Sequence, residues 1–294
     1  MRLIDGNQIA DKILQSLKKE LSSLIGRPPG LAFILVGENP SSHTYVRMKK
    51  KKCEEMGFFS KDIHLSEIVA PDVLEATIKG LNQDPLIDGI LLQMPLPKHL
   101  DSLFFISLID PNKDVDGFHP VNMGKLLLGS PDGFIPCTPY GIFQLLKCSQ
   151  IPLEDKHVVI VGRSNIVGKP LAALLMQKRK DANATVTVAH SKTRNLKELC
   201  QSADVLIAAI GHPKFIGKEF VKPGAVVIDV GINRLGGSLS GDVDFEKVAP
   251  LCSAITPVPG GVGPMTIAML LINTFMSFRR KNPDLLLTQL AFPI

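Results

Sequence analysis

Short apolar runs alternate along the chain with longer segments whose apolar residues recur every three or four positions. Ile9, Ile13, Leu17 and Leu21 fall on one face of such a segment, which is the spacing of an amphipathic helix. Runs such as LAFILVG have the length and content of buried strands. The first half of the chain is therefore predicted to contain helices over 8–25, 39–57 and 71–82 and strands over 31–37 and 87–93.

The second half of the chain repeats this alternation with runs richer in β-branched residues. Residues 110–138, which lie between the halves, carry many Gly, Pro and Asp residues and are predicted to be mostly loop, with a domain boundary near them. We predict strands over 158–161, 184–189, 204–210 and 225–230 and helices beginning at 168 and 195.

Strands that alternate with helices are typical of α/β proteins with parallel sheets. We therefore predict an α/β fold with two α/β domains around a cleft. The first domain covers residues 1–137 and is completed by a C-terminal helix at 264–294. The second, residues 138–263, is predicted to be Rossmann-like with a parallel sheet.

Composition narrows the class of protein. The chain has 294 residues, 45% of them hydrophobic, with a formal net charge of +5. We find no apolar stretch of the roughly 18–20 residues that a membrane helix needs, and no signal-peptide layout at the N-terminus, which predicts a cytoplasmic protein. The five cysteines form no C-x-x-C pair, so reduced thiols and no metal site are expected.

A basic run, YVRMKKKK, holds much of the positive charge at residues 45–52. Its lysines form either a solvated helix face or a basic rim for an acidic ligand. Nucleic acid is not the predicted partner, because the run has no interleaved aromatic residues and the chain has no nucleic-acid-binding motif.

The segment HVVIVGRSNIVGKP (157–170) indicates a strand, a glycine turn and a helix start. Such a turn directs backbone N–H groups and the positive end of a helix at an anion, usually a phosphate. The spacing departs from G-x-G-x-x-G, because Ser164 replaces the second glycine and Gly168 comes one residue late after Gly162. The motif alone is therefore a weak indication of a dinucleotide site.

The end of the next strand decides between the two dinucleotides. NAD-binding sites usually place a carboxylate there to hold the ribose 2′-OH, whereas here His190, Ser191 and Lys192 follow the strand. Arg163 lies in the glycine turn itself, and Arg and Ser side chains suit a 2′-phosphate. We predict NADP as the cofactor, the alternative being that Arg163 is only a surface charge.

Tyr45 and Lys49 are four residues apart and share one helix face. An ordinary polar pair is the simplest interpretation. Neighbouring positive charge and partial burial would, however, disfavour the charged form of the Lys49 amine and let it exchange protons near neutral pH. Short-chain dehydrogenases also carry a Tyr-x-x-x-Lys pair, but there the glycine turn precedes the pair, and here the order is reversed.

Further candidates lie where strands and turns end. Gln93 follows the strand IDGILL at its carboxyl end, where α/β proteins bind ligands. Asp116 precedes Gly117 and is either a turn former or a buried partner for an N–H-rich heterocycle. The loop TPVPGGVGPMT (256–266) is either a hinge or a site of close backbone contact with a ligand.

Together these motifs resemble those of the bifunctional methylenetetrahydrofolate dehydrogenase/methenyltetrahydrofolate cyclohydrolase (FolD) family. The segments that carry the resemblance run in the family's order and are YVRMKKKKCEEMG, DGILLQMPLP, NKDVDGFHP, PCTPYGI, VGRSNIVGKP, HSKT, DVGINR and TPVPGGVGPMT.

The resemblance implies roles in one-carbon metabolism on tetrahydrofolate derivatives, with NADP as cofactor and a homodimer joined through the cofactor domains. It implies that Lys49 is the catalytic lysine, that Gln93 supports it, that Tyr45 packs against the folate and that Asp116 holds the pterin ring. The residues implied to line the NADP site are Gly162, Arg163, Ser164, Ser191 and Ile232, and those implied to edge the folate site are Pro259, Gly260 and Gly261.

Two alternatives from other classes stay open at this point. A non-catalytic NADP-binding sensor would bind the cofactor without turnover. A basic nucleic-acid-binding module would show strongly salt-dependent binding.

Overall fold

The computed structural model describes residues 1–235 and 238–283. In chain order, the elements of the first half are β1 (Arg2–Leu3), α1 (Gly6–Ser22), β2 (Gly30–Val36), α2 (Pro40–Glu55), β3 (Phe59–Leu65), α3 (Pro71–Gln83), β4 (Gly89–Leu92), α4 (Ser102–Leu108) and α5 (Pro120–Leu128).

The elements of the second half are α6 (Cys137–Cys148), β5 (His157–Val161), α7 (Gly168–Leu175), β6 (Thr185–Ala189), α8 (Leu196–Gln201), β7 (Val205–Ala208), β8 (Val226–Asp229), β9 (Asn233–Leu235), β10 (Ser238–Ser240), α9 (Phe245–Val248), β11 (Ala254–Ile255) and α10 (Val262–Lys281). Two short 3₁₀ turns, Lys218–Phe220 and Ala249–Leu251, complete the described secondary structure.

The chain divides into two compact units, each with its own parallel sheet. The six-stranded unit comprises residues 1–12, 126–129 and 136–269, and the three-stranded unit comprises residues 13–125, 130–135 and those from 270 on. The division falls inside α1, α5 and α10. The predicted α/β class, with two domains and a parallel Rossmann-like sheet, is confirmed.

The sheet of the three-stranded unit has the order β3-β2-β4, with all strands parallel. All seven residues of β2 are buried, as expected for a central parallel strand covered on both faces. Its neighbour β3 is an edge strand, and each of its residues is half-buried or exposed. Because Gln93 follows β4 directly, its side chain is placed at the carboxyl edge of this sheet.

The sheet of the six-stranded unit has the order β1-β11-β8-β7-β5-β6, again with all strands parallel. The two short strands β1 and β11 pair at one edge and were not predicted, because two-residue strands leave no periodic signal. The glycine turn follows β5 and the His190 loop follows β6, its neighbour, so both loops lie at the same carboxyl edge.

The region predicted to be mostly loop contains a helix. Pro120 occupies the first turn of α5, where its missing N–H costs nothing, and Leu126 and Asn122 are buried. The prediction of loop over 110–138 was wrong for these nine residues, because the dense Gly and Pro residues on both sides of the helix masked its short apolar pattern.

The last helix also differs from its prediction. Within the described residues α10 ends at Lys281, whereas residues 284–294 of the predicted helix lie outside the part of the chain that the structure describes. Contrary to the expectation from sequence, α10 is long and apolar enough by composition to cross a membrane. Since 72% of that apolar window is buried inside the protein, we interpret α10 as a core helix.

Polar side chains on the buried part of α10 satisfy backbone groups of the three-stranded unit. Asn273 Nδ2 donates to the carbonyl oxygens of Val115 and Ile135, at 2.8 and 3.0 Å. Ser277 Oγ lies 2.6 Å from the carbonyl oxygen of Asp88, to which it donates. Buried polar groups are almost always hydrogen-bonded. These bonds therefore fix the position of this part of α10 relative to the backbone segments that it contacts.

Replacing Asn273 by Ala should destabilise the protein, because it removes the donor for the buried carbonyl groups of Val115 and Ile135. We expect a loss of about 1–3 kcal/mol for each carbonyl left without a partner. The free energy of unfolding is measured in urea, with circular dichroism as the signal. Ser66→Ala, at an exposed position, is the control and should stay close to wild type. Equal midpoints for the two variants would contradict this role of Asn273.

Candidate active site

The central pair of the three-stranded unit is Lys49 and Gln93. Lys49 lies on α2 and is 8% exposed, and its Nζ donates to Gln93 Oε1 over 3.2 Å. Gln93 Nε2 donates to the carbonyl oxygen of Met94 at 2.7 Å, which fixes the orientation of the amide and turns its oxygen toward the lysine. The structure thus brings together two residues that are 44 positions apart in sequence.

Tyr45 lies one turn before Lys49 on α2 and is half-buried. The helix begins with a side-chain cap, since Asn39 Oδ1 accepts from the backbone N–H groups of Ser41 and Ser42. The predicted helix is therefore present with its predicted start, and the i,i+4 spacing of Tyr45 and Lys49 is realised.

The lysines that follow Lys49 are paired with acidic side chains. Lys50 forms ion pairs with Asp62 and Glu54, and Lys51 and Lys52 lie 3.9 and 2.9 Å from the Glu55 carboxylate. Asp62 raises the pKa of Lys50, mainly through their hydrogen bond. These pairs favour the solvated-face interpretation of the basic run over a free basic rim.

Asp116 lies in a turn before Gly117, whose φ of +79° explains the glycine. Its neighbour Asp114 is 2% exposed and builds this turn: its carboxylate accepts from the backbone N–H groups of Phe118 and His119 and from Asn122 Nδ2. Burial raises the pKa of Asp114 to about 7. Sequence reasoning singled out Asp116 and missed Asp114, although both stand in the motif KDVDGFHP.

The glycine turn of the six-stranded unit has the close approaches that its glycines suggest. Gly162 has φ of +135°, and a Cβ there would lie 2.1 Å from the carbonyl oxygen of Ala209. A Cβ on Gly168 would lie 2.0 Å from the carbonyl oxygen of Gly162. Gly168 therefore lets the start of α7 pack against the strand end, the role of the third glycine in a dinucleotide motif, despite the extra residue.

Ser164 has a structural partner inside the same turn. Its Oγ accepts from the backbone N–H of Val167 at 3.1 Å, and its carbonyl oxygen accepts from the N–H of Lys169. Arg163, which precedes it, is exposed. The serine thus shapes the loop that leads into α7, which accounts for a serine where the usual motif has glycine.

The loop after β6 presents Ser191. Thr193 Oγ1 accepts from the N–H of His190, and the N–H of Thr193 donates back to the His190 carbonyl oxygen. These bonds close a tight turn that leaves Ser191 exposed. Residues 190–194 contain no carboxylate, and the turn adjoins the glycine turn because Val161 and Ala189 are paired in the sheet.

Two buried carboxylates that sequence reasoning missed hold the neighbouring strand-end loops. Asp242, fully buried, accepts through Oδ2 from the N–H groups of Ile210 and Gly211 and through Oδ1 from His212 N–H and Asn233 Nδ2. The loops after β7 and β8 are therefore tied to one side chain. The only sequence signal was its place in the polar GDVD segment before α9.

Asp229 completes this arrangement at the end of β8. Its carboxylate accepts from the N–H groups of Gly231, Asp242 and Val243. Burial raises the pKa of Asp229 to about 6, against the lowering by these three donors. Ile232, the predicted cofactor contact, comes directly after Gly231 and is 42% exposed. The loop that carries it is therefore held by hydrogen bonds to Asp229 on its buried side and faces solvent on its other side.

The loop predicted to edge the folate site packs closely against the start of α1. A Cβ on Gly6 would lie 1.8 Å from the carbonyl oxygen of Gly261, and Asn7 N–H donates to the carbonyl oxygen of Gly260. Pro259 is exposed at the tip. The glycines of this loop therefore serve backbone packing inside the six-stranded unit, a role that the sequence did not reveal.

Together the parallel six-stranded sheet and its glycine turn define an α/β protein with a dinucleotide-binding domain. The chain belongs to the tetrahydrofolate dehydrogenase/cyclohydrolase family: residues 4–116 match the model of its catalytic domain and residues 136–282 the model of its NAD(P)-binding domain. The family identified from the motifs is confirmed.

Relatives match over nearly the whole chain. A bifunctional protein FolD from Chlamydia muridarum is 55% identical over 95% of this chain and 99% of its own length. The crystal structure of the FolD enzyme of Campylobacter jejuni has a TM-score of 0.92 at 49% identity and covers 96% of this chain and 99% of its own. The Trypanosoma brucei enzyme, solved with NADP and an inhibitor, has a TM-score of 0.90 at 38% identity and covers 95% and 97%.

Replacing Asp242 by Asn should destabilise the six-stranded unit. Whichever way the amide is oriented, its NH₂ group faces two of the four donors that the carboxylate accepts from. We expect a cost of about 1–3 kcal/mol for each donor left without an acceptor. The measurement is the free energy of unfolding in urea.

The matched control is Asp155→Asn, since Asp155 is exposed and has φ of +60°, a conformation that Asn tolerates well. It should change the free energy of unfolding by no more than about 0.5 kcal/mol. An Asp242→Asn protein as stable as this control would show that the loops after β7 and β8 do not depend on the carboxylate.

Proposed function

We propose that this protein oxidises 5,10-methylenetetrahydrofolate to 5,10-methenyltetrahydrofolate with NADP⁺ and then hydrolyses the product to 10-formyltetrahydrofolate. The observation that carries the proposal is the buried Lys49–Gln93 pair, which lies in the segment that matches the family's catalytic domain. The relatives named as bifunctional enzymes support both activities.

The residues of the six-stranded unit fit NADP. Gly162 and Gly168 leave a cradle that any side chain would fill, and the turn between them opens into α7. Exposed Arg163 and Ser191 stand on adjacent loops with no carboxylate in the second loop, which suits a 2′-phosphate. We assign Gly162, Arg163, Ser164, Ser191 and Ile232 to the cofactor site. When bound, NADP⁺ accepts the hydride from the folate.

In the oxidation the protein's contribution is orientation. The neighbouring ring nitrogen of the folate stabilises the methenyl cation by its lone pair, so no side chain has to supply or remove a proton at that carbon. We assign Asp116 to the pterin ring, because its carboxylate is held in a turn that buried Asp114 fixes. Half-buried Tyr45 is assigned to packing against the folate.

The hydrolysis needs proton transfer, and Lys49 is placed for it. Water adds to the methenyl carbon and loses one proton, which gives a neutral hydroxyl adduct. The bond from this carbon to N5 then breaks as N5 takes a proton up, and the hydroxyl oxygen releases its remaining proton to solvent as it becomes the formyl carbonyl. A neutral Lys49 amine that donates one hydrogen to Gln93 Oε1 keeps its lone pair for the proton of the attacking water. The protonated amine can then deliver that proton to the departing nitrogen.

A lysine suits this step better than a carboxylate. A carboxylate base would stabilise the cationic methenyl group by opposite charge and so oppose its conversion. Among the described residues no acidic side chain lies within ion-pair distance of the Lys49 ammonium, in contrast to Lys50, Lys51 and Lys52 on the same helix.

Several further assignments extend this proposal. Pro259, Gly260 and Gly261 are proposed to contact the folate, and the domain of residues 1–137 with α10 is proposed to bind it. A cytoplasmic homodimer without a nucleic-acid or membrane partner stays a prediction. The alternatives of a non-catalytic sensor and of a short-chain-type dehydrogenase are not favoured, since relatives over the whole length are bifunctional folate enzymes.

Lys49→Met should abolish hydrolysis of the methenyl compound, because it removes the only proton carrier proposed for that step. We expect a loss of on the order of 10²–10⁴-fold, the usual range for a general acid–base residue. The assay follows the decay of methenyl absorbance. Lys51→Met, at a lysine that is 78% exposed on the same helix, is the control and should retain activity. Hydrolysis at the control's rate would refute the role of Lys49.

Arg163→Ala should lower the preference for NADP over NAD. Losing a charge-assisted contact to the 2′-phosphate, worth about 1.5–3 kcal/mol, corresponds to a decrease of roughly 10- to 100-fold in kcat/KM for NADP⁺, with little change for NAD⁺. Lys178→Ala, an exposed residue of the same unit, changes the net charge equally and serves as control. An unchanged ratio of the two kcat/KM values would refute the contact.

A further inference from the structure

Three potential metal ligands that the proposed reaction does not use converge at one end of the three-stranded sheet. Glu38 follows β2, His43 lies in the first turns of α2 and His64 belongs to β3. One ligand atom from each of the three lies within 4.8 Å of the others. None of the three has a part in the proposed reaction, and their positions in the sequence match no known ligand spacing.

The distances between these atoms suit tetrahedral coordination. Glu38 Oε2 lies 3.0 Å from His43 Nε2, and Glu38 Oε1 lies 3.2 Å from His64 Nε2. Ligands at about 2.0–2.1 Å from a tetrahedral zinc ion are about 3.3 Å apart. The two contacts end on different oxygens of the Glu38 carboxylate, and one ligand atom of each residue lies within 4.8 Å of the others. Side-chain rotations alone would therefore bring the three ligand atoms to the spacing of a zinc coordination shell.

The imidazole of His43 has a nitrogen that the described protein leaves unsatisfied. His43 Nε2 is shielded from solvent and has no hydrogen-bond partner in the described part of the chain, because its approach to Glu38 lacks hydrogen-bond geometry. A shielded nitrogen without a partner is costly, and coordination of a cation through its lone pair would remove that cost.

The backbone holds the three residues in place. His64 pairs with Leu35 in the sheet, so that it is fixed beside the end of the strand from which Glu38 continues. His43 N–H donates to the carbonyl oxygen of Asn39, within the capped start of α2. The two imidazole rings meet edge to face with centroids 5.0 Å apart. The two histidines therefore belong to regular elements, and Glu38 lies in the short connection between β2 and α2.

We propose that Glu38, His43 and His64 form a binding site for Zn²⁺. Two neutral imidazoles and one carboxylate are a donor set that zinc favours, and a water molecule would complete the tetrahedron. The Glu38 side chain is 71% exposed, so zinc ions in solution have access to the site. His64 Nε2 also lies 3.2 Å from the carbonyl oxygen of Gly37, to which it donates when that nitrogen carries a hydrogen. In the proposed site zinc replaces this hydrogen on Nε2. This proposal departs from the sequence-based expectation of no metal site, which was drawn from the cysteines.

The test measures Zn²⁺ binding to the full-length protein, freed of any histidine tag, by isothermal titration calorimetry. All proteins carry Cys148→Ser, because Cys148 is the exposed cysteine of the described residues and a thiol is itself a zinc ligand. His43→Ala/His64→Ala is the test variant. His99→Ala, which removes an exposed histidine elsewhere, is the matched control.

We expect one Zn²⁺ per chain in the parent and the control. Since even changes outside the ligand shell weaken metal binding by roughly 10- to 100-fold, loss of both histidines should weaken it by at least as much. Co²⁺ in place of Zn²⁺ should give the visible absorption of a tetrahedral site in the parent and the control only.

Equal affinity of the test variant and the control would overturn the proposal, as would absence of stoichiometric binding to the parent. Either result would mean that the cluster is an ordinary pair of histidine–carboxylate contacts. Because the measurement is zinc binding and not turnover, its outcome is independent of the proposed reaction. Melting curves without metal verify that each variant is folded.

Discussion

The hydrogen bond between Lys49 and Gln93 depends on one constraint, the common carboxyl edge of parallel strands. Gln93 can meet Lys49 only because β4 ends where α2, the helix after β2, passes. In the other sheet the same constraint places the loops after β5 and β6 side by side. Gln93, the glycine turn and Ser191 are therefore positioned by where a parallel strand ends, and Lys49 by the course of the helix after β2.

Buried carboxylates fix the conformation of several loops and turns in both units. Asp114 fixes the turn of Asp116, Asp242 ties two strand-end loops together, and Asp229 orders the segment before Ile232. In each case the carboxylate accepts several backbone N–H groups that would otherwise be unsatisfied. The loops that carry Asp116 and Ile232, which are proposed to contact the ligands, are thus held in place by buried carboxylates that have no ligand contact in the proposal.

The sequence predicted features whose cause is local. The strand, glycine turn and helix at 157–170 and the capped helix with Tyr45 and Lys49 follow from neighbouring residues, and the motif resemblance supplied the pairing with Gln93. The backbone donors to Asp242 come from a distant segment, as does His64, which approaches Glu38 and His43, so no spacing indicated these contacts. The helix at 120–128 was missed because nine residues between loop motifs carry too little periodicity.

The paired lysines of α2 bear on how the protein meets its substrate at a distance. Lys50, Lys51 and Lys52 each stand beside an acidic side chain, so that their fields cancel within a few ångströms. Beyond the Debye length of about 8 Å at physiological salt, little potential from these three lysines remains to draw in an anionic molecule. The basic run therefore contributes to the helix surface rather than to long-range attraction, and recognition of a ligand depends on contacts within the site.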